Sequence, residues 1–187
     1  MIVTNRAIEL FFDPATEAVL TSLLRELNPS PLLQWGVRPH VSLLLCAGFE
    51  AGSEAALAAF ARTQPPLPIT LGSVGSFPGD LGVVFLAPVQ TRGLLDLHVA
   101  LNDHMAAFTP RRNAHYEPGV WVPHCTQGML FNEEELADAL KICRRAPPIA
   151  GTFTEIGFHE TTTDTSVSGF DRVIDTRYRA TFPLTGH

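Results

Sequence analysis

Two short stretches decide how this chain is interpreted: Arg38-Pro39-His40-Val41-Ser42-Leu43 and Val122-Pro123-His124-Cys125-Thr126. Each stretch places a histidine directly after a proline and a hydroxyl side chain two residues after that histidine. Each also stands at the head of an apolar segment that predicts a strand. Because side chains at positions i and i+2 of a strand point to the same face, each stretch presents its histidine and its hydroxyl together.

The rest of the chain alternates predicted strands and helices. Asp13 and Pro14 favour a helix start, and the three glutamates after Asn132 favour another. The pattern predicts strands at about residues 6–12, 41–46, 69–77, 83–86, 122–130, 150–159 and 172–182. It predicts helices at about residues 14–28, 53–62 and 91–108 and one that begins near residue 132.

The order of these elements repeats when the chain is divided between about residues 88 and 91. Each half then contains a motif-bearing strand, a helix and a two-stranded hairpin, which indicates an internal duplication. We therefore expect an α+β fold in a single domain over residues 1–187, made of two lobes at about residues 1–89 and 90–187. A single α+β sheet without such symmetry is the alternative.

Composition excludes several classes of protein. With 45% hydrophobic and 17% charged residues, the chain has the composition of a folded domain and not of a disordered one. A formal net charge of -6 argues against a binder of long duplex nucleic acid. Three cysteines, Cys46, Cys125 and Cys143, match no disulfide or metal-binding spacing, and we expect free thiols in a reducing compartment. Without a signal-type or membrane-spanning segment, we expect a cytoplasmic protein that does not enter membranes.

The two motifs carry the residue types that acid–base chemistry on a phosphodiester needs. If the motif strands face each other, one histidine removes a proton from the attacking water or hydroxyl, and the other protonates the departing oxygen. The two hydroxyls hold the non-bridging phosphate oxygens. This chemistry requires neither metal nor cofactor, and we predict none. A single His-x-Ser/Thr tripeptide is often a chance occurrence, so the functional interpretation depends on the matched pair.

The sequence resembles the two-histidine phosphoesterases, the family that includes bacterial 2'-5' RNA ligases and cyclic nucleotide phosphodiesterases. Besides the two motifs, the resemblance rests on the opening strand and turn at residues 6–14, on Trp35, and on Trp121-Val122-Pro123. It implies two lobes related by a pseudo-two-fold axis, each a small antiparallel sheet flanked by helices, with the active cleft between them.

The resemblance also implies roles for the four motif residues. His40 and His124 match the catalytic histidines of the family, and Ser42 and Thr126 match its phosphate-binding hydroxyls. By the same likeness His124 is the base that activates water and His40 is the acid. Pseudo-symmetry alone does not distinguish these two roles.

Other residues are candidates for substrate contact or for packing. Arg38 lies two residues before His40, so the alternation of side chains along a strand predicts that it faces the cleft and neutralises phosphate, unless Pro39 disturbs the alternation. Tyr116 lies in an irregular stretch and is predicted either to stack on a base or to belong to a solvated loop. Trp121 lies three residues before His124, so its side chain is expected on the other face of the strand, buried beneath the sheet. Glu9 either faces the cleft or faces solvent at a sheet edge.

These observations predict a metal-independent phosphoesterase that opens 2',3'-cyclic phosphates, or related cyclic or 2'-5' linkages, on nucleotides or RNA ends. One alternative is a 2'-5' RNA ligase, in which a ribose hydroxyl attacks in place of water. The other is a module that binds a nucleotide or phosphate without turnover.

Overall fold

The structure is a computed structural model that describes residues 1–27, 31–79, 82–164 and 172–186. Its strands are β1 (Ile2–Phe12), β2 (His40–Cys46), β3 (Leu67–Gly75), β4 (Val84–Pro88), β5 (Cys125–Gly128), β6 (Ile149–Asp164) and β7 (Arg172–Pro183). Its helices are α1 (Pro14–Glu26), α2 (Ser53–Thr63), α3 (Arg92–His104) and α4 (Glu133–Arg145), with short 3-10 turns at Ala106–Phe108 and Ala114–Tyr116. Every predicted strand and helix is present, with shifted ends.

All of these strands belong to one antiparallel sheet in the order β2-β1-β6-β3-β4-β5, and β7 pairs with the free side of β6. The α+β class is therefore confirmed. The long strand β6 connects the two parts of the sheet, because residues 149–153 pair with β3 and residues 153–164 pair with β1. The two sheets expected from the resemblance are thus continuous through β6.

Strand pairing does not follow the division of the chain near residue 89. The hairpin of β3 and β4 comes from the first half of the chain, but it pairs with β6 and β5 of the second half. Strands β1 and β2 also join the second half, through β6. The repeated order of elements therefore does not describe how the strands are grouped in space.

Helix starts follow the local signals in the sequence. Asp13 caps α1, because its carboxylate accepts a hydrogen bond from the amide of Thr16 at 3.0 Å. At α4, Asn132 and Glu135 form a reciprocal capping box. Gly52 precedes α2 with a φ of 88°, a left-handed conformation that glycine adopts without strain. No helix in the described ranges is both long enough and apolar enough to cross a membrane.

Strand β1 separates the hydrophobic core from the site. It lies between β2 and β6, and its Ile8 and Leu10 are fully buried and pack in the core with Leu20 of α1. The alternate residues Ala7 and Glu9 point to the other side of the sheet, where they line a cavity.

Candidate active site

One cavity of about 750 Å³ brings the two motifs together. His40 and Ser42 reach it from β2, Thr126 reaches it from β5, and His124 reaches it from the residue directly before β5. The structure therefore places all four predicted motif side chains around one space. Its wall also contains Glu9, His159 and the aromatic residues Trp35, Phe77 and Tyr116.

The two histidines are held in the same way. Nδ1 of His40 lies 2.7 Å from the carbonyl oxygen of Arg38, and Nδ1 of His124 lies 2.8 Å from that of Val122. A carbonyl oxygen only accepts, so Nδ1 carries a proton in both rings. In each case the bond spans a proline whose ring fixes the local backbone. Nε2 is therefore the nitrogen that remains for proton transfer in the cavity.

A buried carboxylate lies beneath the first histidine. Oε1 of Glu9 is 3.2 Å from Nε2 of His40 and 3.0 Å from Nδ1 of His159, and it accepts a longer bond of 3.4 Å from Oγ of Ser42. Glu9 is only 2% exposed. Burial alone would raise the pKa of Glu9. The charge of His40 and the hydrogen bonds from His159 and Ser42 outweigh burial, so the pKa of Glu9 is lowered overall.

The second histidine has apolar surroundings instead. The rings of Phe77 and Phe85 lie 4.9 Å and 5.4 Å from the ring of His124, centroid to centroid. Burial lowers the pKa of His124, and a positive charge on His40 lowers it further, against the raising effect of the bond to Val122. His124 is therefore biased toward its neutral form.

Trp121 connects the two motifs. It is buried, as its parity predicts, and its Nε1–H donates a hydrogen bond of 3.0 Å to the carbonyl oxygen of Ser42 in the first motif. Its ring stacks on His98 of α3 at 4.0 Å and 9°. The side chain of Trp121, three residues before His124, thus joins the segment of the second motif to the backbone of the first.

Arg38 does not reach the cavity, which corrects the expectation from its parity. Its guanidinium binds Glu17 of α1 at 2.8 Å and Glu155 of β6 at 3.3 Å, and it lies over the ring of Phe11. Strand β2 begins only after Pro39, so the alternation of side chains does not extend back to Arg38. The backbone of Arg38 contributes to the site, since its carbonyl oxygen holds His40.

Tyr116 lines the cavity and is not a solvated loop residue. Its 3-10 turn is fixed because its carbonyl oxygen accepts a hydrogen bond from Nε2 of His98 at 3.0 Å. Burial, together with the negative charge of Glu9, raises the pKa of Tyr116 to about 12. The phenol therefore stays protonated and can donate a hydrogen bond as well as stack.

Sequence reasoning left Glu9 undecided and gave His159 no role. The signal for Glu9 was its place between apolar neighbours in a strand that turns out to be internal to the sheet. His159 carries no local signal, because it reaches the site only through the pairing of β6 with β1.

Matched histidine motifs around one cavity of an antiparallel α+β fold are typical of the two-histidine phosphoesterases, which are enzymes. The chain belongs to the 2'-5' RNA ligase superfamily of that class, whose family model matches residues 12–165. None of the curated protein sequences matches the chain.

Solved structures show the same fold. E. coli LigT complexed with 3'-AMP is 18% identical, with a TM-score of 0.58 over 97% of this chain and 98% of LigT. LigT complexed with NADP+ is 21% identical, with a TM-score of 0.54 over 98% of both chains. TT0787 of Thermus thermophilus is 20% identical, with a TM-score of 0.58 over 97% of this chain and 98% of TT0787.

Proposed function

We propose that this protein is a metal-independent phosphoesterase that hydrolyses 2',3'-cyclic phosphates, or related cyclic or 2'-5' linkages, of nucleotides or RNA ends. The observation that carries the proposal is the pair His40 and His124, each held through Nδ1 by the backbone and each with Nε2 left for the same cavity. Ser42 and Thr126 line the same cavity, and to hold a phosphate oxygen the Ser42 hydroxyl exchanges its long 3.4 Å bond to Glu9 for one to the ligand.

The proposed reaction balances with these residues alone. Neutral His124 takes a proton from water at Nε2 while the water oxygen attacks phosphorus. The bond from phosphorus to one ribose oxygen breaks, and that oxygen takes the proton from Nε2 of His40. Ser42 and Thr126 stabilise the charge on the non-bridging oxygens. The product is a 2'- or 3'-monophosphate, and exchange with solvent restores both histidines.

The cavity walls favour a small nucleotide as substrate. Trp35, Phe77 and Tyr116 supply aromatic surfaces on which a base can stack. Arg6 is the one Lys or Arg among the described residues that line the cavity, and Glu160 and the carbonyl of Ala47 already bind it. Because the cavity has only this one basic side chain among its described residues, and that side chain is already paired, a ligand with few phosphates fits better than a long nucleic acid. The 3'-AMP and NADP+ bound to LigT support the same ligand class.

The decisive experiment is an assay of the four nucleoside 2',3'-cyclic monophosphates with a chelator present, resolving 2'- from 3'-phosphate products. We expect turnover by the wild type and a loss of about a hundredfold or more in both His40→Ala and His124→Ala, as for general acid–base groups. His115→Ala is the matched control, because His115 is exposed and does not line the cavity. Full turnover in both cavity variants would refute the proposal.

Ligation is the second candidate, and the name of the matching family favours it. In that reaction a 5'-hydroxyl replaces water, and the ring opens to form a 2'-5' linkage. Oligonucleotides with 2',3'-cyclic phosphate and 5'-hydroxyl ends distinguish the two: joined product without hydrolysis would favour the ligase. Thermal stabilisation by nucleotides with no product in either assay would instead indicate a non-catalytic binding module.

We also propose the cytoplasm as the compartment. Cys46, Cys125 and Cys143 are all buried and unpaired thiols, which suits a reducing environment. Burial raises the pKa of Cys125 to about 12 and that of Cys143 to about 11, so neither thiol is reactive.

A further inference from the structure

We infer that Arg38 is a positioning residue: its guanidinium, fixed outside the cavity by Glu17 and Glu155, holds the peptide that orients His40. The catalytic part of this inference rests on the proposed function. Its structural part, the anchoring of the His40 ring by a side chain outside the cavity, is testable without turnover.

The peptide that orients His40 lies outside the sheet. Nδ1 of His40 donates to the carbonyl oxygen of Arg38 at 2.7 Å. Strand β2 begins only at His40, so that carbonyl oxygen is not part of a strand ladder. Pro39, between the two residues, has no N–H that could pair with a neighbouring strand. The position of the carbonyl oxygen therefore depends on contacts other than strand pairing.

The side chain of Arg38 supplies such contacts. Its Nε and Nη2 donate to the two carboxylate oxygens of Glu17 in α1, at 3.1 Å and 2.8 Å. Its Nη1 and Nη2 both donate to Oε2 of Glu155 in β6, each at 3.3 Å. The guanidinium also lies 4.5 Å from the centre of the ring of Phe11, the residue of β1 that pairs with His40. A two-pronged arginine–carboxylate pair within a network is the kind of ion pair that contributes measurably to stability near a protein surface.

The backbone of Arg38 is held on both sides. Its N–H donates to the hydroxyl oxygen of Tyr178 in β7 at 2.8 Å, and its carbonyl oxygen accepts from His40. The ring of Tyr178 packs edge-on against Phe11, with the ring centres 5.5 Å apart. Without the guanidinium, this peptide would keep the bond to Tyr178 but lose its links to α1 and β6. The His40 ring would then be attached to a looser support.

The second motif is anchored in a different way. The carbonyl oxygen that holds His124 belongs to Val122, whose side chain is uncharged and 46% exposed. The anchor of that segment is the buried Trp121, through its indole bond to Ser42. A change in the Arg38 side chain should therefore loosen His40 and leave His124 as it is. His124 is thus an internal control for any experiment on Arg38.

The first test is Arg38→Met, which keeps an unbranched side chain and removes the guanidinium. We expect kcat on a 2',3'-cyclic nucleotide to fall about tenfold, because a displacement of about 1 Å in a catalytic group can cost about a hundredfold and this variant loosens the ring without removing it. KM should change little, since Arg38 does not line the cavity. Arg38→Lys keeps the charge but loses the planar fork of donors, so its kcat should lie between those of the wild type and Arg38→Met.

The matched control is Arg25→Met. Arg25 lines the same groove beside α1 as Arg38, but it is exposed, and the carboxylates of Glu17 and Glu155 bind Arg38 instead. The control removes the same charge from the same part of the surface. A kcat of Arg38→Met equal to that of the wild type, or an equal fall in Arg25→Met, would overturn the inference.

A second readout does not depend on catalysis. In protein labelled with nitrogen-15 at histidine, NMR detects the Nδ1 protons of His40 and His124, which the two His→Ala variants assign. In Arg38→Met the His40 proton should exchange with water about tenfold faster than in the wild type, because local opening of its support has become easier. The His124 proton should exchange at its wild-type rate. Arg38→Lys allows the same comparison if Arg38→Met does not fold.

The pattern of exchange separates positioning from a general loss of stability. Unchanged exchange at His40 overturns the inference. Equal acceleration at both histidines also overturns it, because that result would mean that the variant loosens the whole fold. If no cyclic phosphate is turned over, the proposed function fails, but the NMR result still decides whether Arg38 holds His40 in place.

Discussion

Replacing Trp121 by phenylalanine tests whether the two motifs act as one site. The indole donates to the carbonyl oxygen of Ser42 at 3.0 Å and stacks on His98 at 4.0 Å, and both neighbours are buried. Phenylalanine retains much of the stacking surface but has no N–H. The variant therefore removes one fastening between the second motif and the strand of the first.

The magnitude follows from that lost bond. Leaving a buried carbonyl without its donor costs about 1–3 kcal/mol. Taking about 2 kcal/mol, the melting temperature of a domain of this size falls by about 4–8 °C. Because a displacement of about 1 Å between catalytic groups can cost about a hundredfold in rate, we expect kcat to fall about tenfold to a hundredfold. KM should change less, since the cavity walls are intact.

Thermal unfolding by circular dichroism and steady-state kinetics on a cyclic nucleotide measure the two effects. Val120→Ala is the matched control, because Val120 lies one residue earlier in the same segment and is 61% exposed. A Trp121→Phe variant with the melting temperature and kcat of that control would show that the bond to Ser42 does not align the motifs.

Three further predictions each concern one residue: His124, Thr126 and Asn132. Burial lowers the pKa of His124, and we expect activity to be lost as the pH falls through that pKa. Phe77→Ser exposes the His124 ring and raises its pKa, so the acid limb of the kcat/KM profile should move to higher pH. An acid limb that does not move would count against His124 as the base. Thr126→Val should lower kcat by about tenfold to a hundredfold, since a hydrogen bond to a charged group contributes about 1.5–3 kcal/mol. An equal loss in Thr161→Val, which changes another threonine of the cavity, would show that Thr126 has no particular role in binding the phosphate. Asn132→Ala removes the α4 cap and should cost about 1 kcal/mol in urea unfolding without changing kcat; a change in kcat would mean that α4 influences the site.

The predicted elements were accurate where local signals decide them. Asp13 and Asn132 mark the helix starts because their side chains bond to nearby amides of the same segment. The end of β6 was missed: residues 160–164 have a polar, threonine-rich sequence that favours a loop, yet they pair with β1 on one side and β7 on the other. Threonine is β-branched and suits a strand, but only the neighbouring strands reveal that choice.

The residues of the site were likewise predicted where neighbouring residues decide their position and missed where distant strands decide it. Each histidine and its hydroxyl lie two residues apart, so parity in a strand predicts that they point together, and both pairs line the cavity. The side chain of Arg38 was predicted wrongly because its partners, Glu17 and Glu155, lie on other elements. Glu9 stayed undecided for the same reason, since a strand's own sequence does not show which strands flank it.

The two motifs are alike, but the proposed reaction gives their histidines opposite roles, so a difference between the two histidines must come from outside the motifs. The Pro-His segments cannot supply the difference, because both rings are held through Nδ1 by equivalent carbonyl oxygens. The neighbours supply it: β1 and β6 place a carboxylate against His40, whereas the β3–β4 hairpin places phenylalanines against His124. An apolar wall favours the neutral form of His124, which is the starting state that the proposed base requires. The long strand β6 therefore shapes the cavity as well as the sheet, because its pairing with β1 brings His159 to Glu9.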